Sequence, residues 1–196
     1  MTNPGFSGQL VLVVGPSGAG KDTLIDYAKE RLQHDDRIRF VRRVITRPAS
    51  VGEDHDPVDL AEFRKQVESE AFALYWEAHG LHYGLPNIID DWLAQGHVVV
   101  ANGSRAILPE ARRRYATLQV ISIAASPTVL AQRLERRGRE RHESRKARLA
   151  RSDKIDVNLD DALAIDNSGE LSFAGNQLVE VLQRSLPADP DSDGAV

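Results

Sequence analysis

The stretch that decides the fold is Val13–Leu24, VVGPSGAGKDTL. It begins at the end of an apolar, β-branched run, Gln9 to Val14 (QLVLVV), which reads as a buried parallel strand. After it, Leu24, Ile25, Ala28 and Leu32 recur at helical spacing between Lys21 and Gln33. Gly15, Pro16, Ser17, Gly18, Ala19 and Gly20 lie between strand and helix. A glycine-rich turn entering a helix aims backbone N–H groups and the positive end of the helix dipole at one point, and lets a ligand come close to the backbone. Gly15, Gly20 and Lys21 fit G-x-x-x-x-G-K, a loop that cradles nucleotide phosphates with a lysine that follows the β- and γ-phosphates. The next position usually holds a Ser or Thr whose hydroxyl sits on Mg²⁺. Here it is Asp22, and Thr23 comes one residue late.

A carboxylate about 4 Å from a phosphate charge costs on the order of 4 kcal/mol at an effective dielectric near 20. A Mg²⁺ between the two reverses the sign. Many phosphate-loop enzymes take a metal-holding Asp from the end of a later apolar strand. In this chain HVVVA (His97 to Ala101) runs into Asn102-Gly103, and no Asp ends it. The expectation is that Asp22, directly or through water, helps hold Mg²⁺, with Thr23 contacting phosphate. The alternative is that Asp22 only favours the first turn of the helix.

The remaining elements alternate. Ile38 to Thr46 reads as a second strand, Gly52 to Asp59 as an acidic loop, Ala61 to Val67 as a helix and Ala71 to Trp76 as a short strand. His79 to Gly84 reads as a turn, Ile88 to Gln95 as a helix ended by Gly96, and His97 to Ala101 and Gln119 to Ala124 as buried strands. Ser126-Pro127 opens a long helix, with Ser126 as cap and Pro127 at the first position. Leu163 to Ile165 is a last short strand and Asn176 to Ser185 a closing helix, while 186–196 (LPADPDSDGAV) reads as a mobile tail. Strands alternating with helices predict a three-layer α/β fold with a mainly parallel sheet, as one domain over 1–185.

Composition narrows the class further. A chain of 196 residues with 41% apolar and 28% charged residues can bury a sizeable core. With no cysteine, disulfides and thiolate chemistry are excluded. MTNPGFSGQ lacks the basic start and apolar core of a signal peptide, and no run nears the roughly 18–20 apolar residues that span a bilayer. The expected setting is therefore cytoplasmic, with no membrane partner. A net charge of −4 argues against a general nucleic-acid binder.

Arg42, Arg43 and Arg47 lie on or just after the second strand. Ligands of parallel sheets bind beyond the carboxyl ends of strands, so Arg47 is expected in the cleft, where it can grip a phosphate bidentately. Alternate strand residues face opposite sides, so at least one of Arg42 and Arg43 serves the surface. In WEAHGLHYGLP (Trp76 to Pro86), Tyr83 can offer a hydroxyl to a phosphate or sugar, or be a core aromatic. His79 and His82 have no partners at metal-ligand spacing. Asn102, Ser104 and Arg105 put amide, hydroxyl and guanidinium at the cleft edge, a set that suits a phosphorylated, polyhydroxy acceptor. Between Arg133 and Arg151 there are nine Lys/Arg against three Glu. This run, broken at Gly138, reads as a solvated face, a basic nucleic-acid surface or, in a phosphate-loop kinase, a lid at about 133–151 that closes over ATP, with Arg148 and then Arg137 reaching the transferring phosphoryl group.

Together GPSGAGK, the T-R-P after strand two, the Y-G after a glycine turn, and R-x-x-x-R-G with an Arg ten residues past its Gly resemble the guanylate kinase family over roughly residues 9 to 180. The resemblance implies a phosphate-binding role for Arg47 and Tyr83, a lid role for Arg137 and Arg148, and a place for Asn167 beside the adenine. The departures concern the base. Leu74 stands where that family keeps a guanine-reading Glu, Leu85 follows the Y-G in place of Ser/Thr, and Ser50 replaces a second phosphate arginine. Leucine cannot satisfy the exocyclic donors of a base.

GPSGxGKD[ST], ITR-x-AS, HG-x-x-YG and NGSRA-x-LP-x-AR together resemble one branch, the ribose 1,5-bisphosphate phosphokinases of bacterial phosphonate use. That resemblance implies transfer of the ATP γ-phosphoryl to ribose 1,5-bisphosphate, giving 5-phosphoribosyl diphosphate. Arg105 is expected on one acceptor phosphate and Arg47 on the other. Two other classes remain open: a nucleoside monophosphate kinase, and a catalytically inactive kinase-like binding module. A homodimer is also left open.

Overall fold

The computed structural model describes residues 6–48, 54–136 and 158–187. The expected lid arginines Arg137 and Arg148, and the tail from 188 onward, lie outside the described residues.

The first strand, β1 (Gln9–Val14), is buried along almost its whole length because a parallel strand lies on each side. It pairs with β7 (Val98–Asn102) and β8 (Leu118–Ala124); β2 (Ile38–Phe40) pairs outside β7, and β9 (Leu163–Asp166) outside β8. All four ladders are parallel, giving the order β2-β7-β1-β8-β9. Such a sheet needs cover on both faces. The period of two along β1 sends Leu10, Leu12 and Val14 into one cluster, with Ile89 and Leu93 of α3 (Ile88–Ala94) and Leu108 and Ala111 of α4 (Leu108–Arg114). Val11 and Val13 go to the other, with Leu24 and Ala28 of α1 (Lys21–Arg31) and Leu178 and Leu182 of α6 (Leu171–Arg184). The three-layer α/β expectation holds. Pro127 opens α5 (Pro127–Arg136), and Ser126 Oγ accepts from Val129 N at 3.4 Å, as the cap requires. No helix among the described residues is long and apolar enough to cross a membrane.

The second strand of the sequence reading divides. Ile38–Phe40 stays in the parallel sheet, whereas β3 (Arg43–Ile45) leaves for a four-stranded sheet of order β4-β3-β6-β5. This second sheet contains β4 (His55–Pro57), β5 (Phe72–Ala78) and β6 (Leu81–Pro86), with α2 (Leu60–Glu68) packed on it through Phe63, whose ring stacks on Phe72 at 4.8 Å. The split has a pairing cause: Ile38 is registered with Val98, but Val44 with Gly84. Three further expectations are corrected. His79–Gly84 is mostly strand, and the turn contracts to His79-Gly80, both at positive φ as in the two-residue hairpin turns that match strand twist. The acidic loop at 52–59 carries β4, held by parallel pairing to β3. The closing helix starts at Leu171, five residues before the apolar period showed it.

Candidate active site

The glycine loop sits at the carboxyl end of β1, where the neighbouring strands β7 and β8 diverge into different connections. At the loop's entry, a Cβ on Gly15 would lie 2.3 Å from the carbonyl oxygen of Ile123. At its exit, Gly20 caps α1 with φ +88°, and a Cβ there would lie 2.5 Å from Asn167 Nδ2. No side chain caps α1, so the positive end of the helix faces the cleft. Gly20→Ala is expected to cost about 1–2 kcal/mol from the left-handed backbone alone. A denaturant midpoint unchanged from wild type would show that the loop relaxes instead.

Lys21 folds back over the loop, its Nζ donating to Gly15 O at 2.9 Å and Pro16 O at 3.1 Å. The loop carbonyl of Ala19 accepts from Asn167 Nδ2 at 2.7 Å and from Arg133 at 3.2 Å. Asn167, 2% exposed, thus buttresses the loop from behind. The sequence reading did not single out Arg133, because it opens a basic run in which no spacing separates loop support from a solvated face.

A cleft of about 170 Å³ joins the loop to the second sheet. Lys21, Arg43, Arg47 and Tyr83 line it, and Asp22 is the one acid among the described lining residues. Tyr83 packs against the core cluster, stacking on Trp76 at 5.3 Å and 7°, and also lines the cleft. Gly103 N donates to Val13 O at 2.9 Å, which brings Ser104 to the cleft edge beside the loop. Ser17, Gly18 and Ser104 line the same cleft.

Other expected residues stand elsewhere. Arg105 is half-buried in a 3-10 turn (Arg105–Ile107), off the cleft lining. Thr23 is exposed on α1 and also outside that lining. Asn102 is buried behind Asp22, donating to Asp22 Oδ1 at 2.6 Å. Arg42 pairs with Asp54 at 2.8 Å and Asp56 at 3.0 Å on the surface, while Arg43 turns inward. The sequence did hold the signal for Arg43, since 43, 45 and 47 share one strand parity and Ile45 also lines the cleft. Leu74 and Leu85, at 1% and 0% exposure, point into the core cluster of Leu10 and Leu12.

The fit to Mg²⁺ is limited. No group of three or more His, Cys, Asp or Glu among the described residues can cage a metal. Asp22 Oδ1 is already engaged by Asn102 and by Arg43 at 2.8 Å. This donor set fits a hydrated Mg²⁺ that arrives on nucleotide phosphates and keeps most of its waters. Nearby, burial, and then the charge of Asp22, push the carboxyl of Asp26 up from its ordinary range.

A glycine loop and lysine at the end of the central parallel strand, facing a basic wall on a separate small sheet, define a P-loop kinase. A guanylate kinase from Anaplasma phagocytophilum shares the fold, with TM-score 0.68 at 18% identity over 91% of this chain and 86% of that one. A family model described as an AAA domain matches residues 11–156. The ribose 1,5-bisphosphate phosphokinase PhnN of Brucella melitensis biotype 2 is 52% identical over 165 residues, covering 84% of this chain and 86% of its own. The protein of the same name from Agrobacterium fabrum is 46% identical, with 90% and 97% covered, and that from Pseudomonas paraeruginosa 49% identical, with 85% and 90% covered. The chain belongs to the ribose 1,5-bisphosphate phosphokinase family.

Proposed function

We infer that this chain carries out the reaction its family is named for: transfer of the γ-phosphoryl group of ATP to the 1-phosphate of ribose 1,5-bisphosphate. An oxygen of the 1-phosphate forms a bond to the γ-phosphorus, the bond from γ-phosphorus to the β–γ bridging oxygen breaks, and ADP leaves. The product is 5-phosphoribosyl 1-diphosphate, which fits a place in phosphonate use.

One observation carries the acceptor assignment. Among the described lining residues the cleft wall presents Lys21, Arg43 and Arg47 against a single carboxylate, while the two positions expected to read a base are turned into the core. Cations without a base reader suit a small acceptor with two phosphates. The stacked Trp76–Tyr83 pair offers an apolar face to the pentose.

The chemistry asks little of the protein in proton transfer, since the attacking oxygen is already ionised at pH 7. Alignment and charge neutralisation supply the rate. Lys21 is the residue proposed to follow the bridging and γ oxygens, and the loop it sits on is held at Ala19 O by Asn167 and Arg133. Mg²⁺, when bound with the nucleotide, supplies neutralisation across the β- and γ-phosphates. Asp22 is the residue that would hold it, through water, because its Oδ1 is committed elsewhere. Thr23, exposed and off the cleft, is not retained in that role. Arg137 and Arg148 are proposed to close over the transferring group, excluding water that competes with the acceptor.

A coupled ADP-release assay with Mg-ATP tests this by comparing ribose 1,5-bisphosphate with GMP at equal concentration. Turnover of the bisphosphate, with the diphosphate product confirmed by mass, is expected. Turnover of GMP alone would favour a nucleoside monophosphate kinase, and activity with neither a binding module.

A further inference from the structure

The carboxylate beside the loop lysine is held by two protein donors. Asp22 Oδ1 accepts from Arg43 at 2.8 Å and from Asn102 Nδ2 at 2.6 Å. The three residues come from α1, β3 and the end of β7, so the contact ties the phosphate loop to both sheets. The ion pair is largely shielded, with side-chain exposures of 12% for Arg43 and 22% for Asp22.

A bare carboxylate here would repel every phosphate that enters the cleft. The guanidinium cancels that charge, and it has donors to spare. Arginine carries five N–H donors in a rigid fork, and Asp22 engages it through one terminal nitrogen. Arg43 and Ile45 of β3, and Arg47 two residues past its end, all line the cleft. Arg105, the other guanidinium expected at the acceptor, does not.

We propose that Arg43 binds a phosphate of the acceptor alongside Arg47, and that Asp22 is the positioning residue that holds its guanidinium to the cleft wall. Asn102 in turn fixes Asp22. This rests on the reading of the acceptor as a sugar bisphosphate, and it assigns that substrate's second phosphate.

Titration calorimetry with ribose 1,5-bisphosphate, without nucleotide, separates the possibilities. Arg43→Gln is expected to raise the acceptor Kd about tenfold or more, the loss of one charge-assisted hydrogen bond, with the ATP Kd within about twofold of wild type. Arg43→Lys, which keeps the charge and loses the fork, should fall between them and guards against a misfolded Gln variant. Asp22→Asn should raise the acceptor Kd several-fold in the same calorimetry, run without nucleotide or Mg²⁺, where its hold on the metal plays no part. An Arg43→Gln protein that binds the bisphosphate as wild type does would overturn the assignment. So would an Asp22→Asn protein that binds the bisphosphate as tightly as wild type in that experiment. If the wild-type chain itself binds no bisphosphate, the functional reading falls and this proposal with it. Wild-type binding beside an unaffected Arg43→Gln removes the proposal alone.

Discussion

Lys21→Ala is expected to lower kcat by about 10²–10³ at saturating ATP, the range for removing one preorganised donor aimed at developing charge. In the structure the ammonium is already gathered over the loop by the carbonyls of Gly15 and Pro16. Little reorganisation is therefore needed when β- and γ-phosphates replace those contacts. Lys21→Arg should not restore the rate, because a planar guanidinium cannot take the position of a compact point charge. Because Lys21 is only part-buried and its loop is held independently through Ala19 by Asn167 and Arg133, the melting temperature should barely move. A kcat loss below about fivefold in a folded protein would remove Lys21 from the transition state.

The parallel sheet was legible because buried parallel strands write themselves as continuous apolar runs. QLVLVV and HVVVA leave few alternatives once a glycine loop and an amphipathic helix follow the first. The second sheet was hidden because its strands are short, polar and set by partners rather than by pattern. HDP (His55 to Pro57) is a strand only because Arg43 and Ile45 lie beside it. LHYGLP looks like a turn until its pairing with β5 is known. Site residues divided the same way. Gly15, Gly20 and Lys21 line the cleft where the loop motif puts them, each fixed by local chain geometry, whereas Arg47 and Tyr83 line it from a second sheet that the sequence reading did not separate. Asp22, Asn102 and Arg43 meet across sequence separations of 21 and 80 residues, and no spacing rule reaches that far. The doubt between Arg42 and Arg43 resolves by a physical criterion, the acidic pair Asp54 and Asp56 drawing one outward and Asp22 the other inward.

Leu74→Glu is the second large effect, and it tests why the base reader is gone. Swapping one residue back toward a guanylate kinase pattern does not by itself restore guanine recognition. Here the side chain at 74 is 1% exposed, in a cluster with Leu10, Leu12 and Leu85, and does not line the cleft. A glutamate there meets no donor and must stay neutral or drag water inward. An unpaired charge in such a place costs about 3–5 kcal/mol. For a domain of this size that corresponds to a fall in melting temperature on the order of 10 °C. The variant is expected to melt early and to gain no GMP turnover, whereas Leu74→Met, which conserves volume and polarity, should lose less than about 1.5 kcal/mol. The opposite result, a Leu74→Glu protein with wild-type melting and new activity on GMP, would mean that position 74 faces the acceptor. Acceptor choice would then rest on one side chain instead of on the direction in which β5 presents its residues.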